Sequence, residues 1–67
     1  MIDLTINGQP HQLENAINIS TLLQQLNLSG KRLALERNGE IVPRSHFEHT
    51  QVASGDKLEI VIAVGGG

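Results

Sequence analysis

The sequence predicts an α+β fold, a mixed sheet of about five strands covered by one main helix, and three observations carry that prediction. Short runs of alternating apolar and polar residues recur along the chain, as half-buried strands require. A single stretch repeats its apolar residues at helical spacing. Two Asn-Gly pairs stand where strands would turn back on themselves.

Ile2, Leu4 and Ile6 alternate with Asp3 and Thr5, which places three apolar side chains on one face of a first strand. Asn7-Gly8 follows, and both central positions of a type I′ turn need the positive φ that Asn and Gly adopt most readily. The chain therefore opens with a hairpin whose second arm runs from Gln9 to Leu13. Pro10 has no N–H to give to a ladder, so this arm belongs at a sheet edge.

After Glu14-Asn15-Ala16, the residues Ile19, Leu22, Leu23 and Leu26 fall at i, i+3, i+4 and i+7, with Gln24 and Gln25 opposite. This predicts one short amphipathic helix over 19–26. Asn18 is the expected N-cap, accepting from Thr21 or its neighbour, with Ser20 as a competitor. Asn27 and Gly30 supply the stop, and Leu28 folds back towards the apolar face. Leu33 and Leu35 then alternate with Ala34 and Glu36, turn at Asn38-Gly39 and return through Glu40, Ile41 and Val42 until Pro43 ends the strand.

Arg44 to Val52 has no clean period and reads as a loop or a single helical turn with Phe47 packed inward. Ser54-Gly55-Asp56 makes a turn, with Asp56 there as turn chemistry rather than as a catalytic acid. Leu58, Ile60, Ile62 and Val64 alternate with Lys57, Glu59, Val61 and Ala63, and the run becomes apolar on both faces towards its end. Such a strand belongs in the middle of a sheet. Placed beside the first strand and parallel to it, with the helix in the crossover, it completes a β-grasp, ubiquitin-like roll over residues 1–64. Residues 65–67 are expected to form a flexible glycine tail.

Composition narrows the function. The chain of 67 residues has no cysteine, which removes disulfides, thiolate metal sites and any cysteine nucleophile of its own. A net charge of −2, with Lys31, Arg32, Arg37, Arg44 and Lys57 scattered among seven acids, argues against nucleic acid as a partner. No apolar run reaches a membrane-spanning length, and the amino end lacks a signal-peptide layout, so a cytoplasmic protein is expected. The core must be aliphatic around the one aromatic residue, Phe47, and a core this small leaves no room for an active-site cavity. We expect a non-catalytic protein. His46 and His49 are three apart, but a metal centre needs three or four converging ligands and the surroundings suit solvated side chains, so no metal is expected. No strand-to-helix glycine loop is present to hold a nucleotide, so no cofactor is expected to bind, and any ATP would be held by a partner.

Gly65-Gly66-Gly67 is the stretch that invites use. A terminal α-carboxylate with an ordinary pKa of about 3.3–3.7 is ionised at neutral pH and can attack the α-phosphate of a nucleotide to become an acyl-adenylate. Glycines, lacking Cβ, can thread a channel too narrow for side chains. Ordering them costs on the order of 1–2 kcal/mol per residue, which docking of the folded body must offset. Val61, Ala63 and Val64, beside the tail, are the candidate docking patch; packing inside a two-sided central strand explains the same residues, and so does a frayed terminus for the glycines.

The succession Leu35-Glu36-Arg37-Asn38-Gly39-Glu40-Ile41-Val42-Pro43-Arg44-Ser45, then Ser54-Gly55-Asp56-Lys57-Leu58-Glu59-Ile60, then Ala63-Val64-Gly65-Gly66-Gly67 resembles the ThiS family, the small ubiquitin-like sulfur carriers of thiamin-thiazole synthesis. The likeness covers essentially the whole chain. It implies that the Gly67 carboxylate is adenylated by a ThiF-type enzyme using Mg-ATP and converted to a thiocarboxylate with sulfur supplied through a cysteine desulfurase. A ThiG-type thiazole synthase would then accept that sulfur. Gly66 and Gly67 match the family's terminal pair, and Gly65 is an extra glycine that would thread with Gly66 into the partner. Phe47 stands where such proteins often carry tryptophan. Two alternatives share the fold: the small subunit of molybdopterin synthase, which tends to be longer and to enter its tail through a proline-containing aromatic segment, and a ubiquitin-like modifier or interaction domain.

Overall fold

A computed structural model describes residues 1–63. Its elements are strand β1 (Ile2–Ile6), strand β2 (Gln9–Leu13), helix α1 (Ile19–Gln25), strand β3 (Leu33–Arg37), strand β4 (Glu40–Ile41), a 3₁₀ turn (Arg44–His46) and strand β5 (Lys57–Ile62). The five strands form one sheet in the order β2-β1-β5-β3-β4. β5 lies at the centre, parallel to β1 and antiparallel to β3. This is the β-grasp arrangement that the order of elements predicts.

Both Asn-Gly pairs are hairpin turns with positive φ at each residue, +51° and +80° at Asn7 and Gly8, +53° and +86° at Asn38 and Gly39. Pro10 sits in β2, which is an edge strand. Helix α1 is capped by the Asn18 side chain, which accepts from the Thr21 N–H at 2.7 Å. It ends one residue sooner than the periodicity suggests, with Leu26 as C-cap and Asn27 at φ +59°. β4 is also shorter than expected: Val42 still donates to the Leu35 carbonyl at 2.9 Å, but Pro43, with no N–H, leaves nothing to extend the strand.

The core is aliphatic around one ring. Leu4 and Ile6 of β1, Leu35 of β3, Leu58 and Ile60 of β5, and Ile19, Leu22 and Leu23 of α1 are buried together with Phe47 and Val52. The irregular stretch after β4 is pinned to the start of the helix, since Ile19 and Ser20 donate to the carbonyls of Thr50 and Phe47 and Val52 donates to that of Ile17. Phe47 is thereby held inward, as the sequence suggests.

β1 ends before β5 does, and a side chain takes over its role. Asn7 turns into the hairpin, yet its amide Nδ2 donates to the Ile60 carbonyl at 3.1 Å and its Oδ1 accepts from the Ile60 N–H at 2.7 Å. One carboxamide thus satisfies both backbone groups of a buried strand residue, which would otherwise lack a neighbour on that side. Replacement by glycine keeps the positive φ and removes only this pair of bonds. We expect Asn7→Gly to lower stability by about 1–2 kcal/mol, read as a lower urea midpoint at unchanged slope.

Candidate functional site

The carboxyl-terminal half of β5 is where the sheet outruns the core. Leu58 and Ile60 point inward and are buried, but Val61 is 65% exposed and Ile62 44% exposed, and Ala63 is exposed as well. Packing of Val61 inside a two-sided sheet is therefore overturned: α1 and Phe47 cover the inner face, and the described chain has no second layer over the outer one. Ile62 corrects the expectation in the other sense. Its alternation with Leu58 and Ile60 assigns it to the inner face, yet it stands at the end of the sheet opposite half-buried Leu33, past the reach of the core. Ala63 donates its N–H to the Arg32 carbonyl at 2.8 Å, so the strand stays tied to the start of β3 up to this residue. Val64, Gly65, Gly66 and Gly67, the rest of the sequence-predicted site, lie outside the described residues, as does the boundary drawn between 64 and 65.

Register places further side chains beside Val61. Val61 is opposite Ala34, Glu59 is opposite Glu36, and Glu36 is opposite Ile41 on its other side. Their inward neighbours Leu35 and Ile60 are buried, so this set shares the outer face. Ile41, 72% exposed, extends the apolar surface across the sheet. The sequence signal for Ile41 was present in the Asn38-Gly39 turn, which sets the pairing of the two arms.

The start of β5 is held by a buried carboxylate as well as by the packing of Leu58. Asp56 is only 5% exposed and is more than a turn residue. Its Oδ2 accepts from the Ala53 N–H at 2.8 Å and from Arg37 Nε at 2.9 Å, and its Oδ1 accepts from Asn38 Nδ2 at 3.1 Å. Asn38 Oδ1 in turn accepts from the Lys57 N–H at 2.9 Å. Burial by itself pushes the Asp56 carboxyl up, but the Ala53 amide, the Arg37 guanidinium and the Asn38 amide outweigh it and hold the group below its ordinary value. Sequence reading missed this role because Arg37 and Asp56 are nineteen positions apart in the chain.

Among the described residues no three His, Asp or Glu side chains converge as a metal site. His46 and His49 are both exposed. No helix is long and apolar enough to cross a membrane.

Comparison with known proteins agrees with this geometry. The profile of the ThiS family matches residues 4–67. The chain belongs to the ThiS family. The crystal structure of a thiamine biosynthesis protein (ThiS) from Geobacter metallireducens superposes on this ThiS-family chain with a TM-score of 0.84 at 33% identity, covering 98% of this chain and 100% of that one. A thiazole synthase from Paramagnetospirillum magneticum is 42% identical over 64 residues, which are 96% of this chain and 20% of that protein. This chain therefore spans about a fifth of that relative's length. An uncharacterized protein, ycf40, from Porphyra purpurea is 35% identical over 66 residues, 98% of this chain and 93% of that one.

A carboxylate whose folded pKa is depressed stabilises the fold fully above its unfolded value, about 3.9, and loses that contribution as pH falls through the lower folded value. Asp56 therefore makes the domain acid-sensitive below about pH 4. We expect Asp56→Ala to cost about 2–3 kcal/mol at pH 7, because it leaves the Ala53 N–H, the Arg37 guanidinium and the Asn38 amide, all in part-buried bonds, without their acceptor. Thermal melts of the two proteins should converge as the pH is lowered towards 2.

Proposed function

We propose that this ThiS-family domain is a non-catalytic sulfur carrier in thiamin-thiazole synthesis, acting through the carboxylate of Gly67. The observation that carries the reading is the family match over residues 4–67, which runs through the central strand into the glycine run. Further support comes from the geometry of β5. It is anchored on both sides as far as Ile60 and by Ala63 on one side, and it bares Val61, Ile62 and Ala63 just before the glycines. A rigid strand that ends in an uncovered apolar surface suits a body that docks while its tail is handled elsewhere. The four residues after Ala63 can carry the carboxylate at most ~13–14 Å from that anchor.

In this reading a ThiF-type enzyme holds Mg-ATP. A Gly67 carboxylate oxygen attacks the α-phosphorus, pyrophosphate leaves, and an acyl-adenylate results. The terminal sulfur of a persulfide, loaded by a cysteine desulfurase, then attacks the acyl carbon and expels AMP to give an acyl disulfide. A thiol supplied by the partner attacks the outer sulfur, forms a disulfide with it and releases the thiocarboxylate; free sulfide reaches the same product by direct attack on the acyl carbon. With no cysteine in the chain, the carbonyl of Gly67 is the sulfur's position. Thiazole synthase is the recipient, and the support is that a segment similar to this whole domain forms part of a protein of that name. Val61, Ala63 and Val64 dock on the partner, while Gly65 and Gly66 thread into it.

Intact mass after incubation with Mg-ATP, sulfide and a ThiF-type enzyme tests the reading. The expected result is exchange of one oxygen for sulfur, localised to Gly67, and its complete loss when Gly67 is deleted, with the thermal midpoint unchanged. Full activity of a protein extended beyond Gly67 and left unprocessed would sink it. Val61→Asp should weaken enzyme binding by about tenfold or more while costing less than about 1 kcal/mol of stability, because the side chain is already outside the core. Equal loss of folding and binding would assign Val61 a structural role instead.

A further inference from the structure

The outer face of the sheet contains an arrangement that folding does not account for. Glu36 and Glu59 are direct partners across the β3–β5 ladder, on the face away from the core. Like charges placed opposite one another destabilise a sheet. Among the described residues neither joins an ion pair, the one present being Arg37–Asp56. Lys57 shares the face two residues along β5, but it is in register with Thr5 and makes no salt bridge to either glutamate. Aliphatic side chains frame the two carboxylates: Ile41 beside Glu36, and Ala34 and Val61 in the next row. Ile41 and Val61 are mostly exposed, a surface that gains when it is covered.

We propose that Glu36 and Glu59 form a seat for one cationic side chain of the enzyme that adenylates Gly67, with Ile41, Ala34 and Val61 packed around it. This inference rests on the carrier reading above. Charge complementarity selects the class of occupant, since a single guanidinium or ammonium between the carboxylates turns their mutual repulsion into attraction to a shared counter-charge. Arginine suits the seat best, because its planar fork can donate to two carboxylates and it is weakly hydrated. A second copy of the same face would bring two acidic pairs together and is opposed by charge. Activation is the step that needs the seat. Glycines have no side chains by which an enzyme could distinguish this carboxylate from others, and ordering them opposes binding. Selection must therefore come from the folded body, and this face adjoins the strand that leads to the tail.

The test uses the full chain with Glu36→Gln, Glu59→Gln and the double substitution, and a purified ThiF-type enzyme with Mg-ATP. Calorimetric binding is measured at several salt concentrations beside the thermal midpoint of the free protein. Each single change should weaken binding by about tenfold, and the double by much less than the product, because both carboxylates serve one cation. The same changes should raise the free protein's midpoint by about 1–5 °C, since they relieve the opposed charges. The opposite signs of the two effects separate a docking role from a structural one. Wild-type affinity in all three variants overturns the seat, as does weakening confined to binding of thiazole synthase, or a self-association of the wild type that the substitutions abolish. If the intact-mass assay shows Gly67 modified equally fast in wild type and variants at limiting concentration, the seat fails and the carrier reading stands; if the wild type is never modified, both fall.

Discussion

The parallel pairing of β1 with β5 is the constraint on which the rest of this structure depends. It joins Thr5 and Ile6 to Lys57 and Leu58, so nearly the whole chain has to be folded before its two ends can meet. Closing so long a loop is entropically unfavourable, and a parallel pair cannot be made by a tight turn. The helix and the β3–β4 hairpin fill the crossover and make closure possible, α1 by covering the inner face of the central strand and β3 by pairing with its other edge. Once closed, the sheet holds β5 between two neighbours and fixes the point from which the chain leaves the domain.

Two polar side chains secure that pairing at its ends. Asp56 gathers the Ala53 amide, Arg37 and Asn38, while its own carbonyl accepts from the Thr5 N–H at 3.0 Å, so a single residue ties both hairpins to the entrance of β5. Asn7 does the corresponding work further along, where β1 has already turned away. A domain of this size draws only ~3–5 kcal/mol from its core, and these interactions are of comparable magnitude. Polar staples here stand where small domains elsewhere use disulfides or metals.

The elements were legible in the sequence because each carries a local signal. Asn7-Gly8 and Asn38-Gly39 announce their hairpins, Asn18 caps its helix, and Pro10 marks an edge, each for a reason contained within a few residues. The central place of β5 was also legible, from its growing apolarity on both faces. Features that depend on register were not. The burial of Asp56 and the two hydrogen bonds between Asn7 and Ile60 join residues 19 and 53 positions apart, and the opposition of Glu36 to Glu59 follows only once the β3–β5 alignment is known. The fate of Ile62 escaped for another reason: alternation gives the face of a side chain but not how far the core extends beneath it.

The two prolines of the chain occupy equivalent places on opposite sides of the sheet. Pro10 is one step beyond the pair Ile6–Gln9 that closes the first hairpin, so its nitrogen faces outward from the β2 edge. Pro43 is one step beyond Val42, whose N–H is given to Leu35, so its nitrogen faces outward past β4. In each case the donor that a foreign strand would need is missing at the border of the sheet. Lateral growth of one sheet onto another, the usual route from exposed borders to fibrils and precipitates, is disfavoured on both flanks. A foreign strand that approaches either border meets a missing donor, whereas a partner that approaches face-on meets the bared apolar side chains.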